Sequence, residues 1–221
     1  MKTALVIGFW ISLTLLHAQT GVTLPTLNIS PQFVANLGPA NNETSGLVYF
    51  HDTLFSINDS GNAPALFAID PVTGATLHTW AFLNAQNIDW EALAASNSKI
   101  FIGDIGNNMG TRSFFEIYQV TLTDLPITDT LPMLKSTFYY PDQSSGSLPA
   151  NAHNFDAEAM VWKNDSLHIF SKNWENLWTK HYVLPSMWQD TIAATLLDSF
   201  QVNGLITDAA YDAQHDQLYL L

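Results

Sequence analysis

The chain of 221 residues has no cysteine, one arginine and few charges of either sign. Without cysteine, disulfides, thiolate zinc sites, iron–sulfur clusters and a thiol nucleophile are all excluded. That absence does not assign a compartment, since exported proteins also dispense with cysteine. Charged residues make up 12% of the chain, roughly half the share usual in a soluble domain. Of these, 20 are acidic and 7 basic, for a formal charge of −13. A nucleic-acid binder needs a basic footprint, which this chain lacks, and attraction to anionic membrane surfaces is disfavoured for the same reason. There is no HExxH, no GxSxG elbow and no phosphate-cradling glycine loop. What is present is apolar: 47% hydrophobic and 12% aromatic residues, enough for a sizeable core and against disorder. The acidity favours cations, or neutral and cationic ligands.

One long apolar run exists, Ala4 to Leu16, behind Met1-Lys2 and ahead of Leu16-His17-Ala18. Its shape is that of a signal peptide over residues 1–18, cleaved near Ala18/Gln19. It is shorter than the ~20 residues needed to span a bilayer, which disfavours an anchor. The expected location is therefore secreted or cell surface, with no transmembrane segment in the mature chain.

Beyond it, short apolar or alternating runs are separated by Gly, Asn, Asp, Ser and Pro clusters, the pattern of strands and turns. A repeat runs through them. The triplets Ser45-Gly46-Leu47, Glu91-Ala92-Leu93, Glu158-Ala159-Met160 and Asp208-Ala209-Ala210 are spaced 46, 67 and 50 residues apart. Thirteen residues after the first member of each, a second strand ends at Asn58, Asp104, Ser171 and Leu221. Third strands follow at Phe67–Ile69, Ile117–Val120 and His181–Leu184. Fourth strands follow at Thr76–Phe82, Leu134–Tyr140 and Thr195–Val202. Four strands per repeat predict an all-β fold, a β-propeller of four-stranded antiparallel blades, six when complete, with about three and a half present. A β-sandwich of hairpins is the alternative. Residues 19–42 form an N-terminal segment whose stretch Leu24–Leu37 is expected to hold a blade-closing strand. Residues 43–221 are expected to be an incomplete propeller, truncated inside its fourth blade.

First strands of blades line a central channel, and two of them open with paired carboxylates, Asp89-x-Glu91 and Asp156-x-Glu158. Period two would put each pair on one face. With Asp208 and the strand-end residues Asn58 and Asp104, these are candidate ligands for calcium, a hard ion taking ~6–8 oxygens. The structural alternative is that the same groups cap turns or bond neighbouring backbones. Arg112 and Lys172 are expected to neutralise these carboxylates internally, with an anionic ligand as the alternative. His153 is the one histidine near the carboxylates. Trp90, Trp162, Trp174 and Trp178 are expected to pack between blades.

In order, Glu43-x-Ser45-Gly46-Leu47, Asn58-Asp59-Ser60-Gly61, Asp89-Trp90-Glu91-x-Leu93-Ala94, Ile102 to Asn108 with Arg112 and Ile117-Tyr118, Tyr140-Pro141-Asp142, Asp156-Ala157-Glu158-Ala159 and Ser171-Lys172 resemble a largely uncharacterised family of secreted bacterial β-propellers common among Bacteroidetes. The resemblance covers about residues 40 to 221. It implies distant kinship with calcium-dependent propellers of the regucalcin-like lactonase and phytase-like kinds, hence a calcium-capable channel. Ser45 stands where the other repeats carry an acid. The expectation is an exported binding or scaffold module with a structural calcium ion and an unidentified small-molecule, glycan or protein ligand. The rival is a calcium-dependent phosphoesterase or lactonase.

Overall fold

The computed structural model describes residues 25–125, 129–131, 133–185 and 191–221. The expected signal peptide and Leu24 lie outside the described residues. No helix among the described residues is long and apolar enough to cross a membrane.

The first blade is the meander β1 (Thr44–Phe50), β2 (Thr53–Asn58), β3 (Ala65–Ile69) and β4 (Thr76–Phe82). The second is β5 (Trp90–Ala95), β6 (Lys99–Asp104), β7 (Phe115–Thr121) and, after β8 (Thr130–Leu131), β9 (Leu134–Tyr139). The third is β10 (Ala157–Lys163), β11 (Ser166–Ser171), β12 (Trp178–Pro185) and, after β13 (Thr191–Ala193), β14 (Thr195–Gln201). β15 (Ala209–Asp212) and β16 (Gln217–Leu220) form a two-stranded sheet. The first strands β1, β5, β10 and β15 touch in succession, so the sheets stack around a common axis as propeller blades do.

Stacking explains why the strands read as near-continuous apolar runs. Along β6, Ile100 and Ile102 pack towards the first blade in one core with Phe55, Ile57, Leu66 and Trp80. Phe101, between them, packs towards the third blade with Met160, Leu167, Ile169 and Tyr182. Alternation sends successive side chains to opposite faces, and both faces are covered.

Two short strands were not foreseen. β8 adds in parallel to β4, and β13 adds in parallel to β9. In each case the connection between a blade's third and fourth strands reaches back to the outer edge of the preceding blade, covering exposed backbone groups. The expected strand before the first repeat does not form over residues 25–37. Leu27, Ile29, Phe33 and Val34 stay exposed, so no apolar face draws that segment onto a sheet edge. The chain is anchored from Gly38 onwards, where Gly38 donates to the Gly74 carbonyl and Asn41 to the Thr76 hydroxyl.

A candidate metal centre at the mouth of the channel

The repeat has a local mechanical cause. In the first three blades the register slips between Thr44 and Gly46, Trp90 and Ala92, and Ala157 and Ala159. The skipped residues are Ser45, Glu91 and Glu158, each an extra residue in a β-bulge. In the last sheet Leu221 bonds to both Thr207 and Asp208, which places Asp208 equivalently. Bulges re-aim side chains and sharpen twist, so it is the bulge, rather than strict alternation, that directs these groups. The residue after each bulge is small because neighbouring first strands nearly touch there. A Cβ on Gly46 would stand 3.0 Å from the Leu93 nitrogen and 3.1 Å from the Ala92 carbonyl carbon.

The loops before the first strands and after the second strands gather at one end of the blades. There Asp59, Asp89 and Glu91 each bring a ligand oxygen within 4.8 Å of the others. Asn87 assembles them: its amide donates to the carbonyls of Asn58 and Asp59, fastening the first blade's loop to the second, while its oxygen receives the Trp90 N–H. Gly106 forms the floor. A Cβ there would overlap Asp89 Oδ2 and stand 2.8 Å from Glu91 Oε1.

Two negative charges 4.8 Å apart repel by about 3 kcal/mol at an effective dielectric near 20. Glu91 carries the consequence. It is only 7% exposed and lies among other acids. Burial, then the charges of Glu158, Asp59, Asp89 and Asp156, push it up to about 10. Asp89 is pushed up to about 6 by burial, with Arg112 opposing and Asp59, Asp156 and Asp104 adding to the rise.

The other expected residues divide by role. Asp104, wholly buried, is a support: it receives the Asp89 and Ile88 N–H groups and pairs with Arg112 at 2.7 Å. Burial raises its carboxyl and Arg112 opposes the rise. Arg112 also donates to the Gly106 and Asp104 carbonyls and lies over the Phe115 ring. Each oxygen of Asp156 receives a donor, the Asn107 N–H at Oδ1 and the Trp174 indole N–H at Oδ2. Glu158 pairs with Lys172, whose ammonium also lies over the Trp174 ring. Burial raises Glu158 and Lys172 opposes it. Asp208 receives the Ala209 N–H, and burial raises it. Asn58, in the place that Asp104 holds, donates to the Ala40 carbonyl. His153, buried, holds the Asn107 carbonyl through Nε2 and receives the Phe155 N–H at Nδ1, which fixes the Nε2–H tautomer.

Neither Asp59 nor Asn87 was among the expected ligands, although Asp59 lies in the Asn58-Asp59-Ser60-Gly61 motif. Asp59 follows the strand-end residue of the first repeat, where the second has Ile105 and the third Lys172, so no repeat marks it. The three gathered carboxylates are hard oxygen donors, and Arg112 and Lys172 are engaged with Asp104 and Glu158. The set suits a hard divalent cation.

No protein-family model matches the chain. No curated protein matches it either. Solved structures do. The glutaminyl cyclase of Myxococcus xanthus is 14% identical with a TM-score of 0.45, over 82% of this chain and 62% of that one. The WD40 β-propeller domain of Doa1 is 12% identical with a TM-score of 0.40, over 83% and 50%. The computationally designed protein Ika8 is 12% identical with a TM-score of 0.38, over 85% and 48%. The chain thus spans about half to three-fifths of the length of these three.

Proposed function

We propose that the chain belongs to an exported or cell-surface β-propeller that binds calcium through Asp59, Asp89 and Glu91 and holds a ligand at that mouth. The observation that carries this reading is the convergence of the Asp59, Asp89 and Glu91 carboxyl groups, two of them against Gly106 and one of them only 7% exposed. Export rests on the signal-like N-terminus, and kinship with secreted bacterial propellers rests on the sequence resemblance alone.

Calcium takes ~6–8 oxygens. Three carboxyl groups would supply three to six of them, leaving positions for water or for ligand oxygens. Asp59 and Asp89 would orient the ion, and Asp104 with Arg112 would hold the Asp89 turn. That openness supports a second reading, a calcium-assisted hydrolase of phosphoesters or lactones, in which the ion would activate a bound water. Glu158 and Asp208 are weaker ligands in either reading, since Glu158 is bound to Lys172 and Asp208 to its own strand. A hydrolysis panel of phosphoesters and lactones, run with calcium and with chelator, separates the two readings. The binding-module reading expects no calcium-dependent turnover. Turnover lost in both Glu91→Gln and Asp89→Asn variants would replace it with the hydrolase.

A further inference from the structure

His168 and His181 meet on the face of the third blade that packs against β15 and β16. On the strand ladder His181 lies opposite Phe170 on β11 and opposite Asp198 on β14. His168, two residues from Phe170, shares that face. Three contacts run in a row. His168 Nε2 is 3.2 Å from the Lys163 carbonyl oxygen, His168 Nδ1 is 2.7 Å from His181 Nε2, and His181 Nδ1 is 3.2 Å from Asp198 Oδ1. The Phe170 ring stacks on His181 at 4.6 Å.

Both ends of this row are acceptors, a carbonyl and a carboxylate. The outer contacts therefore each require an N–H on the imidazole, and the middle contact requires one proton between two nitrogens. Three protons are needed. Two neutral imidazoles carry one each, so the neutral pair leaves one contact acceptor against acceptor. A shared metal does not resolve this. Two nitrogens bound at ~2.0–2.1 Å to one tetrahedral ion would stand about 3.3 Å apart, whereas 2.7 Å is a hydrogen-bond distance.

We infer that His168 and His181 form a proton-binding site that takes up one proton for the two rings and ties β11, β12 and β14 together in acid. The added positive charge faces Asp198 on β14. The other charged neighbour, Lys163 at the end of β10, is already paired with Asp216 and lies over the Tyr211 ring of the last sheet. Burial holds both histidines below their usual range, reinforced at His168 by the charge of His181 and opposed at His181 by Asp198, so the uptake belongs to acid. The pair thus titrates as a unit.

The test is nitrogen NMR on the histidine-labelled protein, with an Asp198→Asn variant. The pair should take up one proton, both rings shifting together, with a scalar coupling between His168 Nδ1 and His181 Nε2. In the variant the amide can donate to His181 Nδ1. Two protons then satisfy all three contacts, and proton affinity should fall at least tenfold. Two independent single-ring titrations without the coupling would overturn the inference, and so would a folded Asp198→Asn protein that titrates like the parent. The coupling is read on the unaltered chain, so it decides the matter even if the variant does not fold.

Discussion

Glu91 sits where the chain places an acid on a bulge, under a neighbouring blade and beside other carboxylates. Its pH dependence has a definite sign. Burial and its acidic neighbours raise it from 4.5 to about 10. The folded state thus keeps a proton that the unfolded chain releases above ~pH 4.5. The stability this contributes is full below that point and is lost as pH rises towards 10. Glutamine imitates the protonated form without the linkage. In chelator, Glu91→Gln should be more stable than the parent by about 1–3 kcal/mol at pH 8, the order of the cost of burying a polar group. The gap should close near pH 4.5. Urea midpoints at the two pH values measure it, and an equal gap at both would remove the buried-acid reading. Arg112 is the opposite case. Its guanidinium is committed to Asp104 and two carbonyls, so the only arginine in the chain is spent inside the fold.

At the scale of elements, the unit is a bulged first strand followed by a hairpin. The thirteen-residue spacing was legible because a bulge and a fixed hairpin length recur together. Third and fourth strands were legible because the blades cover both faces and leave long apolar runs. The turn at Asp70 follows from its residue types, as Asp70 takes the Val72 and Thr73 N–H groups and Gly74 has φ +72. β8 and β13 were not legible. Two or three residues pairing in parallel with another blade's edge owe their existence to that edge, not to their own pattern. The candidate site was half legible for the same reason. Asp89 and Glu91 carry a repeat signature, but Asp59 joins them through inter-blade stacking and the Asn87 clamp. The withdrawal of Asp156 depends on Trp174 and Asn107, which nothing in the spacing marks. The close approach of first strands gives a test. Gly46→Val would press a branched side chain against the Leu93 and Ala92 backbone, which cannot swing away as a side chain could. Overpacking of this kind costs typically 1–3 kcal/mol. Urea denaturation should show that loss with the slope unchanged, and a variant as stable as the parent would refute the close packing of β1 on β5.

For the whole molecule, the charge of −13 is distributed unevenly. Asp59, Asp89, Glu91, Asp104, Asp156 and Glu158 gather around one end of the stacked blades, and among the described residues only Arg112 and Lys172 are paired into them. Sheets buried on both faces leave few places for charge, so the acids collect in the loops, bulges and strand ends at the mouth. A chain built this way is under electrostatic tension that a bound cation would relieve. An ion at 100 times its dissociation constant would stabilise the fold by about 2.7 kcal/mol. Calorimetric titration of the chelator-treated protein with calcium tests the claim most directly, alongside Asp59→Asn and Asp208→Asn. One calcium ion per chain should bind, with affinity reduced at least tenfold in Asp59→Asn and unchanged in Asp208→Asn. No heat at millimolar calcium, or binding indifferent to Asp59→Asn, would contradict the site.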